Sequence, residues 1–164
     1  MKTQRTAPRS IRIGLLADHR DTLAPLAAAY ERQWPEWYGV HGDAIEDLRA
    51  RSRRTGLPVG LVALEQDVAI GALAIAETSV PTHPHLSPWL VGFWVEASRR
   101  NRGIGAQLVL SACDHARRQG IARLYVAAAA ASGLFAREGW SVIDAGTTEL
   151  GVTTTIFSKA LQAS

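Results

Sequence analysis

The 164-residue sequence has a single cysteine, no apolar run of membrane-spanning length, and a net charge of only +3. One cysteine, Cys113, excludes an internal disulfide framework and fits a reducing compartment. Its place on the apolar side of a predicted helix makes it a packing residue rather than a reactive thiol. Crossing a bilayer as a helix takes about 20 apolar residues in a row, so no membrane partner is expected. The cytoplasm is the expected location. The small net charge gives no argument for nucleic acid as a partner. Nor is a metal site expected: His83 and His85 have an i, i+2 spacing, but no third ligand accompanies them.

What is present describes a globular chain, 47% hydrophobic and 20% charged. One domain is expected over residues 11–164, large enough to bury a core. Residues 1–10 read as a flexible basic tail, with no apolar segment behind them to make a secretory signal.

"IRIGLL" (11–16) reads as a strand. Leu23, Leu26, Ala27, Tyr30 and Trp34 then recur at helical spacing, with Asp21 or Thr22 as the cap. "PEWYGVHG" breaks this helix, and Asp43 with Glu46 has the spacing of a capping box opening a second helix to about Arg54. Two apolar runs joined by Gln66-Asp67 predict a hairpin without a turn glycine. After a loop rich in proline and histidine, "WLVGFWV" (89–95) predicts another strand. A helix from Ile104 ends at Gly120, with Asp114 and Arg118 at ion-pair spacing. "ARLYVAA" predicts a strand, "ASGLFAREG" a short helix, and "WSVID" and "VTTTIFSKAL" two more strands. This order predicts an α/β domain with a mixed sheet.

Between the third apolar strand and the long helix lies "SRRNRGIG", three arginines woven around two glycines. A strand, a glycine turn and a helix start make a general anion site, because the first helical amides have no internal partner and carry the positive end of the dipole. Gly103 and Gly105 leave room for a bulky phosphate, and Arg100 and Arg102 add charged donors. The dinucleotide fingerprint is excluded because Leu108 stands where its third glycine belongs. No Gly-Lys-Ser/Thr follows, which excludes a P-loop. The second basic group, "RARSRR" (49–54), reads more simply as a solvated face.

Arg100-Asn101-Arg102-Gly103-Ile104-Gly105 resembles the R/Q-x-x-G-x-G/A motif of the GNAT superfamily of N-acetyltransferases, and "GLFAREGW" (133–140) resembles its later "LY-x-x-x-GF" segment. The resemblance implies a GNAT-like mixed central sheet of about seven strands flanked by about four helices. It further implies acetyl-CoA as co-substrate, lying between the strands at 89–95 and 122–128. By that resemblance a bulged strand offers the backbone of Phe93, Trp94 and Val95 to pantetheine. The diphosphate would rest on the amides of Arg100, Asn101, Arg102, Gly103, Ile104, Gly105 and Ala106. Two positions depart from the pattern: Ala128 replaces a frequent asparagine, and Phe135 replaces the tyrosine that often protonates the leaving thiolate, while keeping its place beside the coenzyme.

An amine acceptor must lose a proton before it attacks a thioester, and Glu77, Glu96 and His85, with His83 beside it, are the predicted bases. In "WPEWYG" (34–39), Trp37 and Tyr38 offer flat surface to an acceptor and Glu36 a carboxylate for a cationic amine. The expected activity is transfer of an acetyl group to an amine of a small molecule or a peptide N-terminus. The alternative is a coenzyme-binding or sensing module without efficient turnover, which Phe135 favours. Assembly as a homodimer is compatible with the sequence.

Overall fold

A computed structural model of the chain describes residues 10–129 and 133–162. The tail expected at 1–10, Ser10 apart, and positions 130–132 at the end of the alanine run lie outside the described residues. Strand β1 (Ile11–Leu15) leads through two 3-10 turns into helices α1 (Leu23–Gln33), α2 (Pro35–Tyr38) and α3 (Ala44–Ala50). Strands β2 (Val59–Glu65), β3 (Val68–Ala76) and β4 (Trp89–Val95) follow, then α4 (Ile104–Arg118) and β5 (Arg123–Ala128). Helix α5 (Leu134–Arg137) and strands β6 (Ser141–Thr147) and β7 (Thr153–Ala160) complete the described elements. All seven strands form one sheet in the order β1-β2-β3-β4-β5-β7-β6, so the last two strands belong to it as expected.

Every residue of β2 is buried, which explains why its sequence is a continuous apolar run without alternation. One face of the sheet packs on α4 through Leu61, Leu73, Ile104, Leu108 and Ala112. The other packs on α1 and α3 through Val62, Leu64, Leu26, Tyr30 and Leu48. Cys113 is buried in the first of these cores, and burial pushes its thiol pKa up. It is a packing residue.

Local details differ from expectation where side chains compete with the backbone. The helix expected to reach Arg54 ends at Ala50. There Ser52 Oγ donates to the Leu48 carbonyl at 2.8 Å, taking the acceptor a further turn would need. Asp43 precedes α3 but its side chain makes no cap bond; Glu46 and Asp47 instead bring negative charge to the first turn. "PEWYGVHG" does break α1, yet it contains the single turn α2, with Pro35 at its first position. Thr22 turns its hydroxyl back to the His19 carbonyl rather than capping α1, and Asp114 pairs with Arg117 rather than Arg118. The Gln66-Asp67 hairpin forms with φ of 49° and 63°, the paired positive values of a type I′ turn.

Two irregularities in β4 position the site. Strand β4 pairs with β3 from Trp89 to Val95, but its only parallel neighbour, β5, meets it just at Trp89–Tyr125 and Leu90–Val126. Past Leu90 the two strands part. On the other edge, Ala72 faces Trp94 while Ala74 faces Val91, so two steps along β3 answer three along β4. The extra residue makes a bulge at Gly92-Phe93, where Gly92 has φ +61°.

Candidate functional site

The turn after β4 ends in Gly103, the residue before α4, with φ +77° and no capping side chain. The first bond of the helix runs from Gln107 N–H to the Gly103 carbonyl at 3.1 Å. The amides of Ile104, Gly105 and Ala106 therefore have no partner within their own helix. They stand at the positive end of a 15-residue helix. A Cβ on Gly103 would meet nothing within 4 Å, so its bareness serves its left-handed backbone and leaves open space before the amides. Gly105 is bare for an additional reason: a Cβ there would lie 2.8 Å from Phe93 Cζ. Its missing side chain lets the Phe93 ring close against the helix.

The three arginines divide their work. Arg99 Nη2 pairs at 3.1 Å with the carboxylate of Glu65, which is 6% exposed, and so belongs to the frame. Arg100 Nε donates to the Val95 carbonyl at 3.2 Å, bracing the end of β4. Arg102 and Asn101 are exposed on the turn itself, Asn101 with φ 63°.

A cleft of about 690 Å³ opens where β4 and β5 separate. Phe93, Ala128, Leu134 and Phe135 line its end nearest α4. Trp34, Trp37, Tyr38, Asp47 and Arg51 line the opposite wall, and Thr148–Leu150 of the β6–β7 loop face them. The two sides are tied: His41 stacks on Trp37 at 3.9 Å, and its Nε2 lies 3.1 Å from Glu149 Oε2.

The bulge is the point where the two ends of the cleft meet. Tyr30, 1% exposed, donates its hydroxyl to the Gly92 carbonyl at 2.6 Å. Burial pushes the Tyr30 pKa up to about 12, against the opposing pull of the nearby Arg51 charge. A Cβ on Gly92 would lie 2.6 Å from Arg51 Nη1 and 3.3 Å from the Tyr30 hydroxyl. Only glycine fits there. Arg51 Nη1 is itself buried without a hydrogen-bond partner. Burial pushes the Tyr38 pKa up, and the Asp47 charge nearby adds to the rise.

The predicted residues fall into three groups. Phe93, Phe135, Trp37 and Tyr38 line the cleft. Phe135 is 3% exposed and packs on Phe93, Trp140 and Phe157, so its ring is also part of the core floor. Ile104 likewise buries its side chain, leaving its amide at the helix start. Trp94 turns toward Tyr30 on the other face, and Val95 packs on the α4 core.

Glu36, Glu77, Glu96 and His85 are not among the residues lining the cleft. Glu36 and Glu77 are exposed, Glu77 between the lining residues Ala76 and Thr78. Glu96 accepts from both the hydroxyl and the backbone N–H of Ser98, and these bonds hold its carboxyl below the usual range. It shapes the turn. His83 is buried and bridges Thr82 and Asp144, with the exposed His85 ring 5.8 Å away, pinning the histidine loop to β6. Among the described residues no group of three His, Cys, Asp or Glu is placed to hold a metal. No helix among them is long and apolar enough to cross a membrane.

Asp47, Arg51 and Glu149 are cleft residues that the sequence reading missed. The signal for the first two was present: they are i, i+4 on a helix whose Ala44 and Leu48 are buried.

A family model described as the Acetyltransferase (GNAT) family matches residues 26–140. No curated protein matches the chain. Among solved structures, an aminoglycoside 6′-acetyltransferase type Ii is similar, with 18% identity, a TM-score of 0.72, and coverage of 92% of this chain and 97% of that one. An aminoglycoside 6′-N-acetyltransferase complexed with coenzyme A is similar at 16% identity and TM-score 0.68, again covering 92% and 97%. The yncA protein of Salmonella typhimurium, solved with its cofactor acetyl-CoA, is similar at 18% identity and TM-score 0.67, covering 96% of each chain.

Proposed function

The chain belongs to the GNAT acetyltransferase family, and from that premise we propose that it is an N-acetyltransferase, moving an acetyl group from acetyl-CoA directly to an amine of a small molecule or peptide. One observation carries this reading. The uncapped amides of Ile104, Gly105 and Ala106 open a helix whose Gly105 abuts Phe93 and Leu134, two residues that line a cleft with a separate polar wall. The residues present fit the coenzyme: bare Gly103 leaves the amides accessible to a diphosphate, and the exposed Arg102 adds charge beside them. The part of β4 that β5 leaves unpaired, Phe93 to Val95, offers backbone groups to pantetheine.

The coenzyme supplies an activated acetyl group. The chain's part is to hold the amine in line and take its proton. Asp47 and Glu149 are the cleft carboxylates, and Glu149 already answers to His41. Asp47 is therefore a better-placed proton acceptor, directly or through water, than Glu77, Glu96 or His85. Phe135 has no proton for the departing thiolate. A thiol's ordinary pKa of about 8.5 lets solvent supply one.

The same phenylalanine, sealed in an aromatic cluster, favours a second reading, a coenzyme-binding module without efficient turnover. Thiol release from acetyl-CoA against polyamines, amino acids, aminoglycosides and short peptides separates the two. Amine-dependent release by at least one class is the expected result. Tight acetyl-CoA binding with no release by any class supports the second reading, and no binding at all sinks both.

A further inference from the structure

We propose that the acceptor carries a carboxylate beside its amine, as an amino acid does, and that Arg51 is the side chain that holds it; this rests on the transferase reading above.

On the acceptor wall, Glu149 is paired with His41, whereas Asp47 and Arg51 form no ion pair with each other among the described residues. Arg51 lines the same wall, forms no ion pair among the described residues, and has a buried Nη1 with no hydrogen-bond partner. Beside it at the bulge stands the Tyr30 hydroxyl, a neutral group that donates to the Gly92 carbonyl. A guanidinium nitrogen buried without an acceptor is costly unless something supplies one. A planar carboxylate matches its fork of donors in a way a single point charge does not.

Position reinforces charge. Arg51 abuts Gly92 in the bulge, where β4 and β5 have already parted. Asp47 lies one helical turn before it on α3. Residues four apart on a helix have Cβ atoms about 5–6 Å from one another, a separation that suits the ammonium and carboxylate ends of one small zwitterion. Its carboxylate would engage Arg51 and its amine would lie beside Asp47, close to the strand gap. Trp34 and Trp37 leave an aromatic surface for the remainder of the molecule.

The test uses matched trios: a free amino acid, its carboxamide, and the amine left when the carboxylate is removed. Thiol release from acetyl-CoA is read for each, with calorimetric binding of the same compounds in the presence of CoA. Hydrogen bonds to a charged group contribute about 1.5–3 kcal/mol, so the wild type should favour the acid by about tenfold or more in kcat/KM. Arg51→Gln should bring acid and amide within about twofold of each other while acetyl-CoA affinity is kept. A merely structural role for Arg51 would lower all three compounds together and leave their ratio unchanged. Should Arg51→Gln also lose coenzyme affinity, Arg51→Lys, which keeps the charge without the fork, reads the same ratio. Equal use of acid, amide and amine by the wild type overturns the proposal, as does a ratio that survives in the variants. Acid binding that depends on Arg51 without thiol release keeps this proposal and removes the transferase reading.

Discussion

The two ends of the cleft are built in different ways. The end against α4 is framed by one continuous stretch, residues 89–106, a bulged strand, a turn and a helix start, with Ala128, Leu134 and Phe135 closing it. The opposite wall is assembled from α1, α2, α3 and the β6–β7 loop, segments from opposite halves of the sequence. Backbone does the work at the first end, through amides whose direction is set by Gly103. Side chains do it at the second, through Tyr38, Asp47, Arg51 and Glu149. A backbone site tolerates exchange of the side chains around it but not of its conformation. A side-chain site behaves in the opposite way, and this is how one frame can keep a single donor while the acceptor changes.

The largest expected effect comes from breaking the backbone end. Gly103→Val forces a β-branched residue into φ +77° and turns the helix-start amides away. Two misdirected charge-assisted bonds are worth about 3–6 kcal/mol, so acetyl-CoA affinity should fall by about 100-fold or more. A calorimetric titration that finds affinity within a few-fold of wild type would remove the diphosphate from this turn.

Next is the joint between the two ends. Tyr30→Phe leaves the Gly92 carbonyl without its 2.6 Å donor. An unsatisfied buried group costs about 1–3 kcal/mol, to be read as lost stability in denaturant unfolding. If the bulge is the joint, kcat should fall and the acceptor KM rise, with acetyl-CoA affinity moving less than either. Loss confined to coenzyme affinity would show instead that Tyr30 serves only the backbone end.

Across the side-chain end, His41→Ala cuts the tie to Glu149 while leaving the turn before α4 unchanged. Such partly exposed pairs contribute about 0–1 kcal/mol. Stability should scarcely change, while the acceptor KM shifts a few-fold and coenzyme affinity holds. A changed coenzyme affinity would mean that the two ends are not separable.

The smallest effect tests the frame beneath both. His115, on α4, is 6% exposed, and burial, with the Arg118 charge second, holds its pKa below the ordinary value. The unfolded chain therefore takes up a proton near pH 6.5 that the folded chain refuses, and stability declines as pH falls below that value. His115→Leu should reduce the loss of Tm between pH 7.5 and 5.5. Equal losses in both proteins would contradict this.

This division also explains what the sequence made legible. The end against α4 could be read because its pattern is local: glycines, arginines and a helix start within a dozen residues. The succession of strands along the chain could be read because the apolar runs are long and both sheet faces are covered. Arg51 was hidden inside "RARSRR", a group that reads as solvated until the packing of Ala44 and Leu48 turns one face of α3 inward. Glu149 could not be found at all, since only the insertion of β7 between β5 and β6 carries its loop to the cleft. Glu96 looked like a base because it follows the strand, but Ser98, two residues on, takes its carboxylate for the turn.

The most direct measurement is an amide spectrum of the ¹⁵N-labelled protein titrated with acetyl-CoA. Saturable shifts should concentrate at residues 102–106 and 92–95, leaving the amides of β1 and β2 in place. Shifts that spare the 102–106 turn and gather elsewhere, or no shifts at saturating coenzyme, would contradict the account at its root.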